Sequence, residues 1–144
     1  VPPRAPFPAA KSATLDLTGS REGFAEARDF THRTLDDWEL AHRLDVADAV
    51  AVVTELAANA VLHALPNADT CDVRVRLTLR RTHLMCAVTD RSDDIPVYPS
   101  SVDPLLEHGR GLRIVEALSE HWGWTKRTPV GKTVWAMLPT RTPA

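Results

Sequence analysis

The sequence predicts an α+β fold, a two-layer α/β sandwich in which helices pack on one face of a mixed, mostly antiparallel sheet. Three observations lead there. Apolar residues recur at helical spacing through Val46, Ala49, Val53, Leu56, Ala57, Ala60 and Ala64, the pattern of one buried helix face. Cys71, Val73, Val75, Leu77 and Leu79 then alternate with Asp72, Arg74, Arg76, Thr78 and Arg80, the period of a half-buried strand. After one further helix, two β-rich runs flank Pro129-Val130-Gly131, as in a closing hairpin.

Taken in order, residues 1–12 read as a flexible leader, because prolines at positions 2, 3, 6 and 8 exclude helix and central strand. Residues 13–140 read as one domain. Residues 13–17 form a short strand, and Ser20 caps a helix that carries Phe24, Ala27, Phe30, Leu35 and Trp38 toward the core. Asp45 caps the second helix and Pro66 stops it. Residues 83–90 pair back on the preceding strand. A turn at Arg81-Thr82 sets Cys86 opposite Leu77 and away from Cys71, so both cysteines read as reduced core residues. Residues 91–108, polar and broken by prolines, read as a long mobile loop of the kind that forms binding loops or lids. A third helix runs over residues 111–120 through Leu112, Val115 and Leu118, and residues 122–128 and 133–138 close the sheet. The tryptophans at 38, 122, 124 and 135 fall at core or sheet positions.

At 144 residues, with 44% hydrophobic and 25% charged residues, the chain has the composition of one globular domain. A net charge of −2 supplies no basic field for a nucleic-acid backbone, so no direct nucleic-acid partner is expected. No stretch approaches the roughly 20 apolar residues of a spanning helix. With no signal-peptide run either, a cytoplasmic location and no membrane partner are expected.

Three segments carry chemistry. In Thr54-Glu55-Leu56-Ala57-Ala58-Asn59-Ala60-Val61-Leu62-His63, Glu55, Asn59 and His63 succeed one another at i, i+4 and share one helix stripe. Such a stripe is also the ordinary solvated face of an amphipathic helix. Its residue types add more: a carboxylate suits a general base, and an amide oxygen one turn on suits a hard cation held jointly with phosphate. Asp90 closes the otherwise apolar strand Leu84-Met85-Cys86-Ala87-Val88-Thr89. There it either marks the exit to solvent or accepts a hydrogen bond from an exocyclic amine in an apolar pocket. His108-Gly109-Arg110-Gly111-Leu112 places two glycines at a loop-to-helix junction, where backbone N–H groups can approach an anion. Gly131-Lys132-Thr133 lacks the upstream glycine and the following helix of a phosphate loop and reads as a hairpin turn.

In order along the chain, these segments resemble the GHKL ATPases, which share the Bergerat ATP-binding fold, and among them the small anti-sigma-factor serine kinases of actinobacterial type. Glu55-Leu56-Ala57-Ala58-Asn59-Ala60 looks like the first box and Val88-Thr89-Asp90 like the second. Gly109-Arg110-Gly111-Leu112-Arg113-Ile114-Val115 looks like the third and Gly131-Lys132-Thr133-Val134-Trp135 like the fourth. The resemblance implies the cofactors ATP and Mg2+. Glu55 would then be the general base, Asn59 a magnesium ligand and Asp90 the partner of the adenine amine. Gly109, Arg110, Gly111 and Leu112 would lie at the phosphates, and Thr133 would complete the adenine pocket. It also implies a sigma factor and a STAS-type anti-anti-sigma antagonist as partners, and a homodimer formed through the sheet. One departure stands out: where the second box carries alternating glycines, Ser92 and Asp94 stand here. That reduces backbone freedom and brings negative charge toward a triphosphate. Two alternatives therefore stay open, a non-catalytic protein-binding regulator and the ATPase module of a larger sensor or phosphatase protein.

Overall fold

The computed structural model describes residues 11–17, 22–64, 73–91, 107–127 and 130–141. They form β1 (Lys11–Leu17), α1 (Glu22–Asp37), α2 (Val46–Ala64), β2 (Val73–Leu79), β3 (His83–Asp90), α3 (Glu107–Leu118), β4 (His121–Lys126) and β5 (Lys132–Pro139). Residues 1–10 of the expected leader (1–12), Ser20, Pro66, Cys71, the segment 92–106 and Pro129 lie outside the described residues, whereas Lys11 and Ser12 open β1 instead of ending a leader.

Strand order is β1-β2-β3-β5-β4, and every pairing among the described strands is antiparallel. Helices pack on one face, as the α+β pattern predicted. Leu77 lies opposite Cys86, the register expected from the turn at Arg81-Thr82. Alternation then sends Val75, Leu77, Leu84, Cys86, Val88, Val134, Ala136 and Leu138 into one core with the helices. Cys86 is a free thiol within it, and desolvation pushes its pKa up to about 12.

Helix α2 is the central beam. It contacts α1 and α3 on its flanks and β2, β3 and β5 beneath. Ala49, Val53, Leu56, Ala57 and Ala60 are buried as their spacing predicted, joined by Val52 and Val61. Each fully buried valine or leucine contributes about 1.5–3 kcal/mol. Asp45 caps the helix, its Oδ1 accepting the Asp48 N–H at 3.2 Å. The end of α1 is a Schellman arrangement: Leu40 N–H donates to Leu35 O and Glu39 N–H to Asp36 O, both at 3.0 Å. Leu35 and Leu40 are both buried beside it. Glu39 takes the left-handed position, φ 55°, where glycine is usual.

The largest difference from the sequence expectation is at α3, which begins at Glu107 rather than at Gly111. Each glycine in a helix interior costs only about 1 kcal/mol. Burial of Leu112 and Val115 and the packing of α3 on α2 outweigh that. Among the described residues, no helix is long and apolar enough to cross a membrane.

Candidate functional site

The polar residues that composition alone would send to the surface gather on the helix side of the sheet. Asn59 is buried, 7% exposed, so the stripe it shares with Glu55 is not a fully solvated face. Leu56, Ala57 and Ala60 turn into the core beside it. Glu55, one turn earlier, is half-buried, and desolvation raises its carboxyl pKa above the ordinary value. His63 lies in the last turn of α2, with its side chain outside the described residues.

Asp90 ends β3 on the same side. Strand parity with Leu84, Cys86 and Val88 turns its side chain toward the helices, and it is 1% exposed. A carboxylate so placed requires compensation. It comes from a residue the motif reading passed over: Lys132, directly opposite on β5, places Nζ 3.2 Å from Asp90 Oδ1 and is itself almost wholly buried. The signal was in the strand pattern, since Lys132 shares parity with Val134, Ala136 and Leu138 and must face the core.

Thr133 requires a correction. It was expected to complete an adenine pocket with Asp90, but alternation puts it on the opposite face of the sheet. There its hydroxyl hydrogen-bonds that of Thr89 at 2.9 Å. Lys132, not Thr133, stands across from Asp90.

Gly131 is more than a turn residue. It has φ 99°, and a Cβ there would collide with the Asp90 carbonyl oxygen and come within 3.0 Å of Arg91 Cα. Its N-terminal neighbourhood is closed by the Arg127 N–H to Gly131 O bond of 2.9 Å. The missing side chain thus lets Gly131 lie against the end of β3 and brings Lys132 to Asp90.

Gly109, Arg110 and Gly111 lie inside the first turns of α3, with their side-chain surroundings outside the described residues. The first four N–H groups of a helix lack intrahelical partners. With the helix starting at Glu107, that of Gly109 belongs to this set, whereas those of Arg110 and Gly111 fall in the ladder. Leu112 is buried, 2% exposed. The second-box departure at Ser92 and Asp94 lies outside the described residues.

Among the described residues, no cluster of three His, Cys, Asp or Glu side chains is placed to hold a metal. The donor set still fits magnesium in kind. That ion keeps several waters and is held by one or two protein oxygens plus substrate phosphates, which an Asn59 amide can join. A carboxylate accepts at about four lone-pair sites, so a lysine on one oxygen and an exocyclic amine are compatible at Asp90.

The layered fold, with buried polar residues between helix and sheet, is an α+β sandwich. Residues 18–138 match the model of the histidine kinase-like ATPase domain, and the chain belongs to that family, of GHKL type. A solved structure of the RsbU and RsbW domains of Rv1364c from Mycobacterium tuberculosis shares the fold. Its TM-score is 0.65 at 22% identity, with 98% of this chain and 35% of that chain covered. The present chain therefore spans well under half the length of that solved chain. No curated protein matches the sequence.

Proposed function

We propose that this chain is an ATP-binding regulator that works as an anti-sigma serine kinase, holding a sigma factor and phosphorylating a serine of a STAS-type antagonist. The observation that carries the reading is Asp90, a carboxylate 1% exposed at the helix-facing end of the central strand of an ATPase-family domain. Such a group is costly unless it has a polar task. Lys132 accounts for one oxygen, and reading an adenine amine is the task we assign to the remaining acceptor sites of the carboxylate. Asn59 would hold Mg2+, and the backbone N–H of Gly109, in the first turn of α3, would receive a phosphate oxygen. The bound nucleotide supplies the transferable phosphoryl group and the metal offsets its charge. Glu55 takes the proton from the antagonist's serine hydroxyl. Its raised pKa brings it toward the range in which a general base is effective near neutrality. Leu112 packs beneath the phosphate end rather than touching the nucleotide.

Incubation with labelled ATP, magnesium and candidate antagonists tests this. Transfer that disappears in Glu55→Ala is expected; transfer that survives removes Glu55 from the mechanism.

A second reading is favoured by one observation, the Lys132 ammonium set against Asp90. If that pair fully satisfies the carboxylate, the chain binds its protein partner without nucleotide. Partner binding unchanged in Asp90→Asn, with no ATP uptake by the parent protein, selects this reading over the kinase.

A further inference from the structure

The face of the sheet turned away from the helices carries a charge distribution that the nucleotide site does not use. Among the described residues no helix covers it. Arg74, Arg76 and Arg80 project from β2 and its end, and Arg91 and Arg127 flank the far end of the same open groove of about 860 Å³. All five are exposed. Asp16, paired to Arg74 at 2.7 Å, is the one acidic residue among those that line the groove. In a chain whose net charge is −2, this is a marked segregation of positive charge.

The centre of the face is apolar. Met85 and Ala87 line the groove, and Trp135, opposite Ala87 on β5, shares their side. Trp135 lies flat across β4 because Gly123 opposite has no side chain; a Cβ there would sit 2.8 Å from Trp135 Cζ2. Methionine, tryptophan and arginine are the residues enriched in protein–protein interfaces, with the apolar ones central and the charges at the rim.

We infer that this arginine-rimmed face docks an acidic protein segment, one that lays carboxylates on the arginines and an apolar side chain on Met85 and Trp135. Charge complementarity selects that occupant. A second copy of the chain applied through the same face sets arginine against arginine, which disfavours face-to-face self-association there. A nucleic acid is disfavoured by the chain's net negative charge and by the apolar centre of the face. The sheet separates this face from Asp90 and Asn59, so the inference stands whether or not the chain binds ATP.

The test uses a short fluorescein-labelled peptide in which aspartate and glutamate alternate with leucine, its lysine-substituted counterpart, and a labelled single-stranded oligodeoxynucleotide. The acidic peptide is expected to bind, to bind less as salt rises, and to lose roughly tenfold or more in affinity in Arg76→Glu/Arg80→Glu. Arg127→Glu, just beyond the end of β4, should weaken it independently. Equal binding by parent and both variants overturns the inference, as does no binding of the acidic peptide. Tighter binding of the oligodeoxynucleotide than of the acidic peptide also overturns it. So does a homodimer in sedimentation that these substitutions dissociate.

Discussion

Lys132 Nζ lies 3.2 Å from Asp90 Oδ1, with side chains 2% and 1% exposed, so the residue assigned to the nucleotide base is held by a buried ion pair. Removing one partner of such a pair strands a charge and costs about 3–5 kcal/mol, whereas replacing both with apolar groups is often neutral. Lys132→Met is therefore expected to destabilise the protein by about 3 kcal/mol. Asp90→Leu/Lys132→Met should recover most of that in urea unfolding. A single substitution as stable as the parent contradicts a buried pair.

Gly131 sets the geometry that makes the pair possible. A methyl group there meets the Asp90 carbonyl, and φ 99° is strained for any L side chain. Gly131→Ala should cost about 2 kcal/mol or more. Thermal unfolding reads the loss; an unchanged Tm shows that the turn moves aside freely.

Much of this fold was legible because its periods are clean. The α2 apolar face, the Asp45 cap and the Leu77–Cys86 register follow from spacing and turn chemistry alone. The start of α3 was not legible, since Gly109 and Gly111 read as a loop until tertiary packing of Leu112 and Val115 decided otherwise. The site was half legible. Motif order pointed to Glu55, Asn59 and Asp90, but it drew attention to Thr133 and away from Lys132. Only the strand parity across β3 and β5 separates those two neighbours into opposite layers.

Glu55 makes a pH prediction. Burial raises its folded-state pKa, so the native protein holds this proton more tightly than the unfolded chain. Stability contributed at this site is full below the unfolded carboxyl value and declines as pH rises through the raised one. Glu55→Gln should then be more stable than the parent at neutral pH, with the advantage vanishing in acid. Denaturant titrations at several pH values measure this. A gap between the two proteins that stays constant with pH contradicts a burial-raised Glu55.

At the end of α1, Glu39 holds a left-handed conformation that costs a side-chain-bearing residue about 1–2 kcal/mol. Part of that is offset by the greater flexibility of glycine in the unfolded chain. Glu39→Gly should still stabilise the protein by about 0.5–1 kcal/mol. A higher denaturation midpoint with unchanged slope is the expected reading, and a lower midpoint shows that the Glu39 side chain contributes something else.

The central claim is that Asp90 reads the base of a bound nucleotide. Calorimetric titration with ATP and magnesium tests it most directly, on the parent, Asp90→Asn and the repacked Asp90→Leu/Lys132→Met. The parent should bind ATP, and both variants should bind it at least tenfold more weakly, about 1.4 kcal/mol, while keeping the parent's circular dichroism. ATP binding of equal strength in all three, or none in the parent, contradicts the account.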